Sequence, residues 1–308
     1  MANLRDIRDR ISSVKSTQQI TRAMKMVAAA RLRKAQDRMN DARPYTGKIH
    51  NIVAELADRT DTESALLKSV KQPKNILLLV LGSDRGLCGG FNTNLFRIVE
   101  KKIFDQFSEQ IEDGTFKVIS IGKKSYDYFR TRNYTVIDHK LGFFDHLKYE
   151  NVSGVINTLL EEFRTGTYDE VYLAYNEFKS ILSQNRRFEK ILPISRKDIM
   201  KRINRESGTD SKNMDKKKNL SDIDFLYEPD PSAILDHVLP LYVTIQLWQA
   251  SLESFAAEQG ARMAAMDSAT ENAGEIIRDL QLKYNQARQA AITTEISEIV
   301  SGAEALSE

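Results

Sequence analysis

The stretch NLRDIRDRISSVKSTQQITRAMKMVAAARLRKAQDRMNDAR, residues 3–43, contains neither glycine nor proline. Alternating steps of three and four from Leu4 reach Leu4, Ile7, Ile11, Val14, Gln18, Thr21, Lys25, Ala28, Leu32, Ala35, Met39 and Ala42, and nine of these twelve positions are apolar. Such spacing returns to one stripe of a helix, as in the seam of a coiled coil. The exceptions, Gln18, Thr21 and Lys25, fall together, so the interruption has a local cause. Pro44 is a candidate kink, yet IHNIVAELA (49–57) resumes the helical pattern. A single helix to residue 57 would be roughly 80 Å long at about 1.5 Å per residue. A helix of that length needs a partner equally long.

The other terminus supplies one. From about Ser232 to Ser301 the sequence again favours helix, with Pro240 early and Gly260 and Gly274 as weak points that lower helix stability without forbidding it. Its apolar stripe runs Ile277, Leu280, Tyr284, Ala287, Ala291, then shifts to Ile292, Ile296, Ile299, a stutter or a change of contact surface. Charge favours pairing the two ends. Residues 1–48 hold twelve Lys/Arg and four Asp/Glu, while residues 250–308 hold four and ten. Opposite charge on two long helices suits an antiparallel coiled coil, adding register and partner choice more than stability.

Between the ends the pattern alternates. NILLLVLG (75–82), FKVISIG (116–122), YTVID (134–138), EVYLAYNEF (170–178) and FEKILPI (188–194) read as strands. KKSYDYFRTR (123–132) and VSGVINTLLEEFRTG (152–166) read as helices. Alternation of this kind predicts a compact Rossmann-like α/β domain. The expected division is therefore an N-terminal coiled-coil helix over 1–58, an α/β domain over 75–200, a polar insertion over 201–230 and a C-terminal coiled-coil helix over 231–308. No internal repeat is visible.

The totals narrow the classes. The chain has 308 residues, 29% of them charged, with a formal net charge of +2. Its single cysteine, Cys88, excludes an internal disulfide and fits a reducing compartment. The four histidines, His50, His139, His146 and His237, lack the spacing of a zinc site. The longest apolar run, Ile76 to Leu81, is far too short to span a bilayer. The start, MANLRDIRDR, has no apolar core and carries two aspartates, unlike a signal or transit peptide. The N-terminal helix is basic but has no aromatic residue before Pro44, and its seam calls for a helical partner, which argues against nucleic acid.

GSDRGLCGG (82–90) follows a strand, where phosphates are often bound. A P-loop needs Lys then Ser/Thr after its last glycine, whereas Phe91 and Asn92 follow here, and the dinucleotide spacing is also absent. The plainer reading is a tight turn with positive φ at Gly86, Gly89 or Gly90. Alternatively, Arg85 projects from it to touch a partner. Cys88 beside Leu87 reads as a small apolar residue rather than a nucleophile. No catalytic, cofactor or metal constellation emerges. Ala28 to Ala30, and ARQAAIT (287–293), carry small side chains that permit close approach of another surface.

Taken together, IRDRISSVKSTQQITRAMKMVAAARLRKAQ (7–36), GSDRGLCGGFN (82–92), ASLESFAAEQGARMAAMDSATENA (250–273) and LQLKYNQARQAAITTEISEIVSGAEAL (280–306) resemble the gamma subunits of F-type ATP synthases. The resemblance covers both termini and the central loop. Residues 95–230 follow the family in layout more than in letters. It implies the rotating central stalk of a proton-translocating ATP synthase, non-catalytic and without a cofactor, although the sequence leaves H⁺ and Na⁺ both open as the coupling ion. The implied partners are the ring of alpha and beta subunits, the epsilon subunit and the membrane c-ring. The implied location is the cytoplasmic side of a bacterial plasma membrane, reached through the complex only. Met24 matches the methionine that meets an acidic lever segment of the beta subunits. Arg262, Gln289 and Thr293 match residues that face it or engage beta, and Arg85 and Arg288 match arginines that pair with the surrounding ring.

Departures from the family and two other readings complete the picture. The polar segment 201–225 looks longer than in typical bacterial members, and no cysteine pair is present to form a thiol switch. MANLRDI leaves no room for a mitochondrial presequence, which favours a bacterial source. An α/β nucleotide-dependent enzyme with helical arms would explain only the central domain, and a coiled-coil nucleic-acid binder only the basic helix.

Overall fold

The computed structural model describes residues 4–59, 64–195, 198–199 and 230–307. The insertion expected over 201–230 therefore lies outside the described residues, apart from Asp230. Two compact units are present: Met1–Ala30 with Arg262–Glu308, and Arg31–Ala261.

The larger unit is built on β1 (Ile76–Leu81), β2 (Phe116–Ile121), β3 (Thr135–Lys140), β4 (Glu170–Phe178) and β5 (Gln184–Leu192). The sheet order is β3-β2-β1-β4-β5, parallel except for β5, which pairs antiparallel to β4. The central strand β1 is buried at all six positions, as its unbroken aliphatic run requires of a strand covered on both faces. At the edge, β3 carries a register irregularity opposite Val118/Ile119 that leaves Ile137 unpaired, a device that blunts an open strand edge.

Each face of the sheet has its own helices. Leu95, Phe96, Val99 and Ile103 of α2 (Phe91–Glu112), with Phe129 of α3 (Lys123–Arg130), cover Ile76, Leu78 and Val80. Ile156, Leu159 and Phe163 of α4 (Tyr149–Arg164) cover the opposite face with Val53 and Leu56 of α1 (Leu4–Arg59) and Leu239, Tyr242 and Val243 of α5 (Pro231–Ser307). β1 and β2 run so close at their ends that a Cβ on Gly122, at φ 95°, would sit 2.3 Å from the Gly82 carbonyl oxygen. Only glycine fits there.

Pro44 does not end α1. It removes one backbone donor, but Thr46, Ile49, His50, Val53 and Leu56 beyond it are buried, and that packing holds the helix through the missing bond. α5 begins on Asp230, whose carboxylate accepts the backbone N–H groups of Ser232 and Ala233, with Pro231 in the first helical position. The Ser232 hydroxyl and these two amides hold the Asp230 carboxyl below its usual range. No helix among the described residues is long and apolar enough to cross a membrane.

Candidate functional site

In the smaller unit, residues 4–30 of α1 lie antiparallel to residues 262–307 of α5. The heptad-like stripe decides which side chains are covered: Leu4, Ile7, Ile11, Val14, Gln18, Thr21, Lys25 and Ala28 are all buried or half-buried, and so are Ile277, Leu280, Tyr284, Ala287 and Ala291. The polar interruption now has its cause. Gln18 Nε2 donates to the Thr270 carbonyl at 3.3 Å, the Thr21 and Thr270 hydroxyls meet at 2.8 Å, and Lys25 Nζ reaches Asp267 Oδ1 at 2.5 Å. Gly274 makes room for the Gln18 amide, which lies 3.1 Å from where a Cβ would stand.

These pairs fix the register. Carried along both helices at equal rise, it sets Leu4 level with about residue 287. Beyond Ala291, α5 has no α1 residue to lean on, yet its sequence stays apolar. Ile292, Ile296, Ile299 and Val300 are 47%, 56%, 70% and 52% exposed. The shifted stripe read from the sequence is thus a change of contact surface. On α1, Ile20, Met26 and Val27 likewise point away from the seam and are exposed. Apolar side chains repeated along one solvent face of a helix mark an interaction surface.

In the larger unit, the glycine-rich segment 82–90 is tied down by its own side chains. Asn92 accepts the Ser83 backbone N–H at 3.0 Å and donates to Ser83 Oγ at 2.7 Å, and Ser83 Oγ donates to the Arg85 carbonyl at 2.8 Å. Asp84 Oδ1 accepts the backbone N–H groups of Lys123 and Gly142. Positive φ falls at Leu87 and Gly89, so of the three glycines named from the sequence only Gly89 adopts it. In doubly wound sheets a ligand sits outside the carboxyl ends of the strands, where the order reverses, here between β1 and β4. That crevice is filled from within: Cys88, Phe91 and Phe178 pack against Ala257 and Ala261 of α5. Cys88 is 2% exposed, a small apolar residue as its surroundings in the sequence suggested. Among the described residues no cluster of His, Cys, Asp and Glu could hold a metal ion.

One unit is a locked helical pair with an uncovered apolar end, and the other a Rossmann-like domain whose ligand crevice is plugged; both features point to a partner-binding protein. An ATP synthase family model matches residues 3–306. The ATP synthase gamma chain of Chlorobaculum parvum is 45% identical over 307 residues, 99% of each chain, and that of Chloroherpeton thalassium is 44% identical over 309 residues, again 99% of each. The chain belongs to the ATP synthase gamma chain family. Solved structures agree in fold. A chain of the Euglena gracilis mitochondrial ATP synthase OSCP/F1/c-ring complex superposes with a TM-score of 0.65 at 19% identity, covering 98% of this chain and 94% of that one. A chain of the Tetrahymena thermophila central stalk and c-ring structure gives 0.57 at 24% identity, covering 81% and 99%.

On this gamma-chain scaffold the six residues singled out from the sequence fall into three settings. Met24 and Arg262 belong to the coiled-coil unit; Met24 is half-buried and Arg262 only 9% exposed. The register sets Met24 level with about residue 268 and Arg262 level with about residue 30, so they stand roughly two turns apart along the coil. Arg288, Gln289 and Thr293 are exposed on α5 around the level where α1 begins, and Thr293 Oγ1 bonds back to the Gln289 carbonyl at 2.9 Å. Arg85 is exposed on the loop after β1, in the other unit.

Sequence reasoning missed two features of this gamma chain. Helix α2 went unnoticed because it starts directly after the glycine-rich segment that drew attention as a possible phosphate loop; the periodicity of Phe91, Leu95, Val99 and Ile103 was the available signal. The partners of the polar belt, Thr270 and Asp267, were also missed. They were recoverable only by sliding the two apolar stripes until their polar gaps coincided.

Proposed function

We propose that this gamma chain is the rotating shaft of an ATP synthase, carrying torque between a membrane c-ring and a surrounding ring of alpha and beta subunits that holds the chemistry. The carrying observation is the end of α5: an apolar helix face from Ile292 to Val300 that the described residues leave uncovered. It calls for a sleeve, and a ring around the shaft is one. Met24, Arg85, Arg262, Arg288, Gln289 and Thr293 are the proposed contacts with that ring. The α/β domain over 75–200, with the polar segment over 201–230, serves as the foot toward the epsilon subunit and c-ring, and the helices over 1–58 and 231–308 serve as the shaft.

The mechanism follows from shape and stiffness. A helical pair cross-linked by the Gln18, Thr21 and Lys25 belt resists sliding, so rotation at one end appears at the other. The pair has no threefold symmetry, so at any angle it presents a different face to each ring subunit. Each subunit's open or closed state is biased in turn by differential contact with the shaft. The chain reaches the cytoplasmic face of a bacterial plasma membrane only through the complex.

Mixing this chain with alpha and beta subunits of the same source, separating by size and assaying ATP hydrolysis with and without it tests the reading. A large complex whose hydrolysis depends on the chain is expected. Absence of a complex, with nucleotide or DNA bound by the isolated chain, would sink the proposal.

A further inference from the structure

Within the larger unit the sheet packs on α1 and α5, and under the shaft reading torque has to pass from one to the other. Their shared core is largely aliphatic, with Val53, Leu56 and Leu239 on the helices and Leu79 and Leu173 on the strands. Such burial is non-directional, so it resists separation more than sliding. Torque needs contacts that have a direction. Residues 141–149, which join β3 to the first residue of α4, supply them on both helices.

The segment leaves the sheet already tied down. The Gly122 backbone N–H donates to the Lys140 carbonyl at 2.9 Å. Asp84 Oδ1 accepts the backbone N–H groups of Gly142 at 3.0 Å and Lys123 at 3.1 Å. Asp84 follows the central strand β1, so its carboxylate fastens the start of the segment to the middle of the sheet. Gly142 then turns at φ 67°, and the Asp145 N–H donates to its carbonyl at 3.2 Å. At the far end Asn151 Nδ2 donates to the His146 carbonyl at 2.9 Å. A loop fastened at both ends can carry load.

It holds one helix on each side. Arg38 of α1 donates from Nη1 to the Leu147 carbonyl at 3.2 Å, a charge-assisted bond. Arg31, on the same helix, stands 4.0 Å from Asp145, but both side chains are close to half exposed, so that pair adds little. On α5, Phe255 lies parallel to the buried Phe144, with an interplanar angle of 6° and centroids 6.1 Å apart. Two turns earlier Trp248 meets Tyr149 edge-on, at 5.9 Å and 79°. Ring pairs prefer particular geometries, as aliphatic contacts do not. Gln184 also bonds the Ala257 carbonyl, but that contact holds α5 alone.

We propose that residues 141–149 are the key that locks the sheet to both helices, with Asp84, Arg38 and Phe144 as positioning residues for torque transmission. The inference rests on the shaft reading and deepens it by naming where torque passes from the foot into the shaft.

The test uses the full chain assembled with alpha and beta subunits, epsilon and the c-ring, with the alpha/beta ring fixed to a surface and a bead on the c-ring. With rotation stalled, the angular spread of the bead reports torsional stiffness. Arg38→Met removes the donor and keeps the aliphatic stem, and Phe144→Leu keeps the burial and removes the flat face. Both are expected to lose stiffness, and the double variant more than either, while assembly and unloaded ATP hydrolysis stay at the parent's level. Arg38→Lys returns a cationic donor and should restore stiffness. Arg38 is exposed, so its variants keep the test open even where Phe144→Leu folds poorly. Loss of an aromatic pair shifts a local equilibrium by about two- to tenfold, so in the isolated Phe144→Leu chain the Gly142 and Asp145 amides should exchange faster by about that factor. Parent stiffness in the double variant, or unchanged amide exchange, overturns the key. A parent complex whose bead does not turn with ATP overturns the shaft reading instead, so the two failures are distinct.

Discussion

Gly260 and Gly274 lie on the same helix, and the same substitution at each should give different results. Alanine for glycine inside a helix gains about 0.8–1.0 kcal/mol from propensity. At Gly260 the added Cβ would meet Phe178 Cε2 at 3.4 Å and the Ile181 backbone at 3.6 Å and 3.7 Å, ordinary contact distances or nearly so. Gly260→Ala should therefore keep most of the gain. At Gly274 the Cβ would stand 3.1 Å from Gln18 Nε2, pushing the amide off its 3.3 Å bond to the Thr270 carbonyl. A bond of that kind contributes about 0.5–1.5 kcal/mol, so Gly274→Ala should come out near neutral. In a Gln18→Ala background the obstruction is gone and Gly274→Ala should recover the full gain, a coupling of about 1 kcal/mol between positions 256 residues apart in sequence (274 against 18). Urea unfolding followed by circular dichroism measures all four corners. Equal effects of Gly274→Ala with and without Gln18 would mean that the two residues do not face each other. The register would then be wrong, and the uncovered end of α5 inferred from it would lose its basis.

Three further outcomes are expected. Met24→Lys adds a cation next to Lys25 on α1; in the assembled complex ATP hydrolysis should survive while ion pumping per ATP falls, and unchanged pumping would remove Met24 from the contact set. Burial, then the hydrogen bond to Glu100, raises the Tyr128 phenol to about 12 from 10.0. The folded state therefore holds a proton that the unfolded chain releases, so this contribution to stability is complete below about pH 10 and is lost as pH rises toward 12. Tyr128→Phe should make alkaline unfolding shallower in that window, read by fluorescence alongside phenolate absorbance, and an identical pH profile would contradict the assignment. Asp230→Ala removes the cap of α5 and should lower the thermal midpoint at neutral pH, with the difference from the parent shrinking in acid as the carboxyl protonates; a pH-independent difference would show that the charge plays no part.

The sequence was most legible where one physical demand acted alone. Every position reached by alternating steps from Leu4 is covered on α1 through Ala42, because in a two-helix seam burial follows helical phase. The β1 run was equally plain, since a strand covered on both faces has no polar position to offer. Helix α2 was obscured because it is capped by the last glycine of a glycine-rich loop, and local composition cannot separate a turn from the helix it launches. The plugged crevice was beyond reach for another reason: Ala257 and Ala261 lie far along the chain from Cys88 and Phe91, and small residues on a helix signal close approach without naming what approaches.

Gln18, Thr21 and Lys25 break the seam at the place where a torque-bearing helical pair needs definition. An apolar seam has near-equivalent alignments displaced by a heptad, since one small or aliphatic side chain packs about as well as the next. Shifting α5 by seven residues would bring Thr21 opposite Ile277 or Met263 in place of Thr270. Loss of that cross-helix hydrogen bond costs about 0.5–1.5 kcal/mol, and Thr21 is only 8% exposed. Lys25 would lose Asp267 in the same step. The local bonds of Thr21 to the Gln18 carbonyl and of Thr270 to the Met266 carbonyl persist in any register, so the discrimination resides in the cross-helix contacts alone. A uniformly apolar seam would hold the helices together at least as firmly, but it would let them ratchet under load. The three residues that looked like defects in the pattern are the ones that make rotation of one end report faithfully at the other.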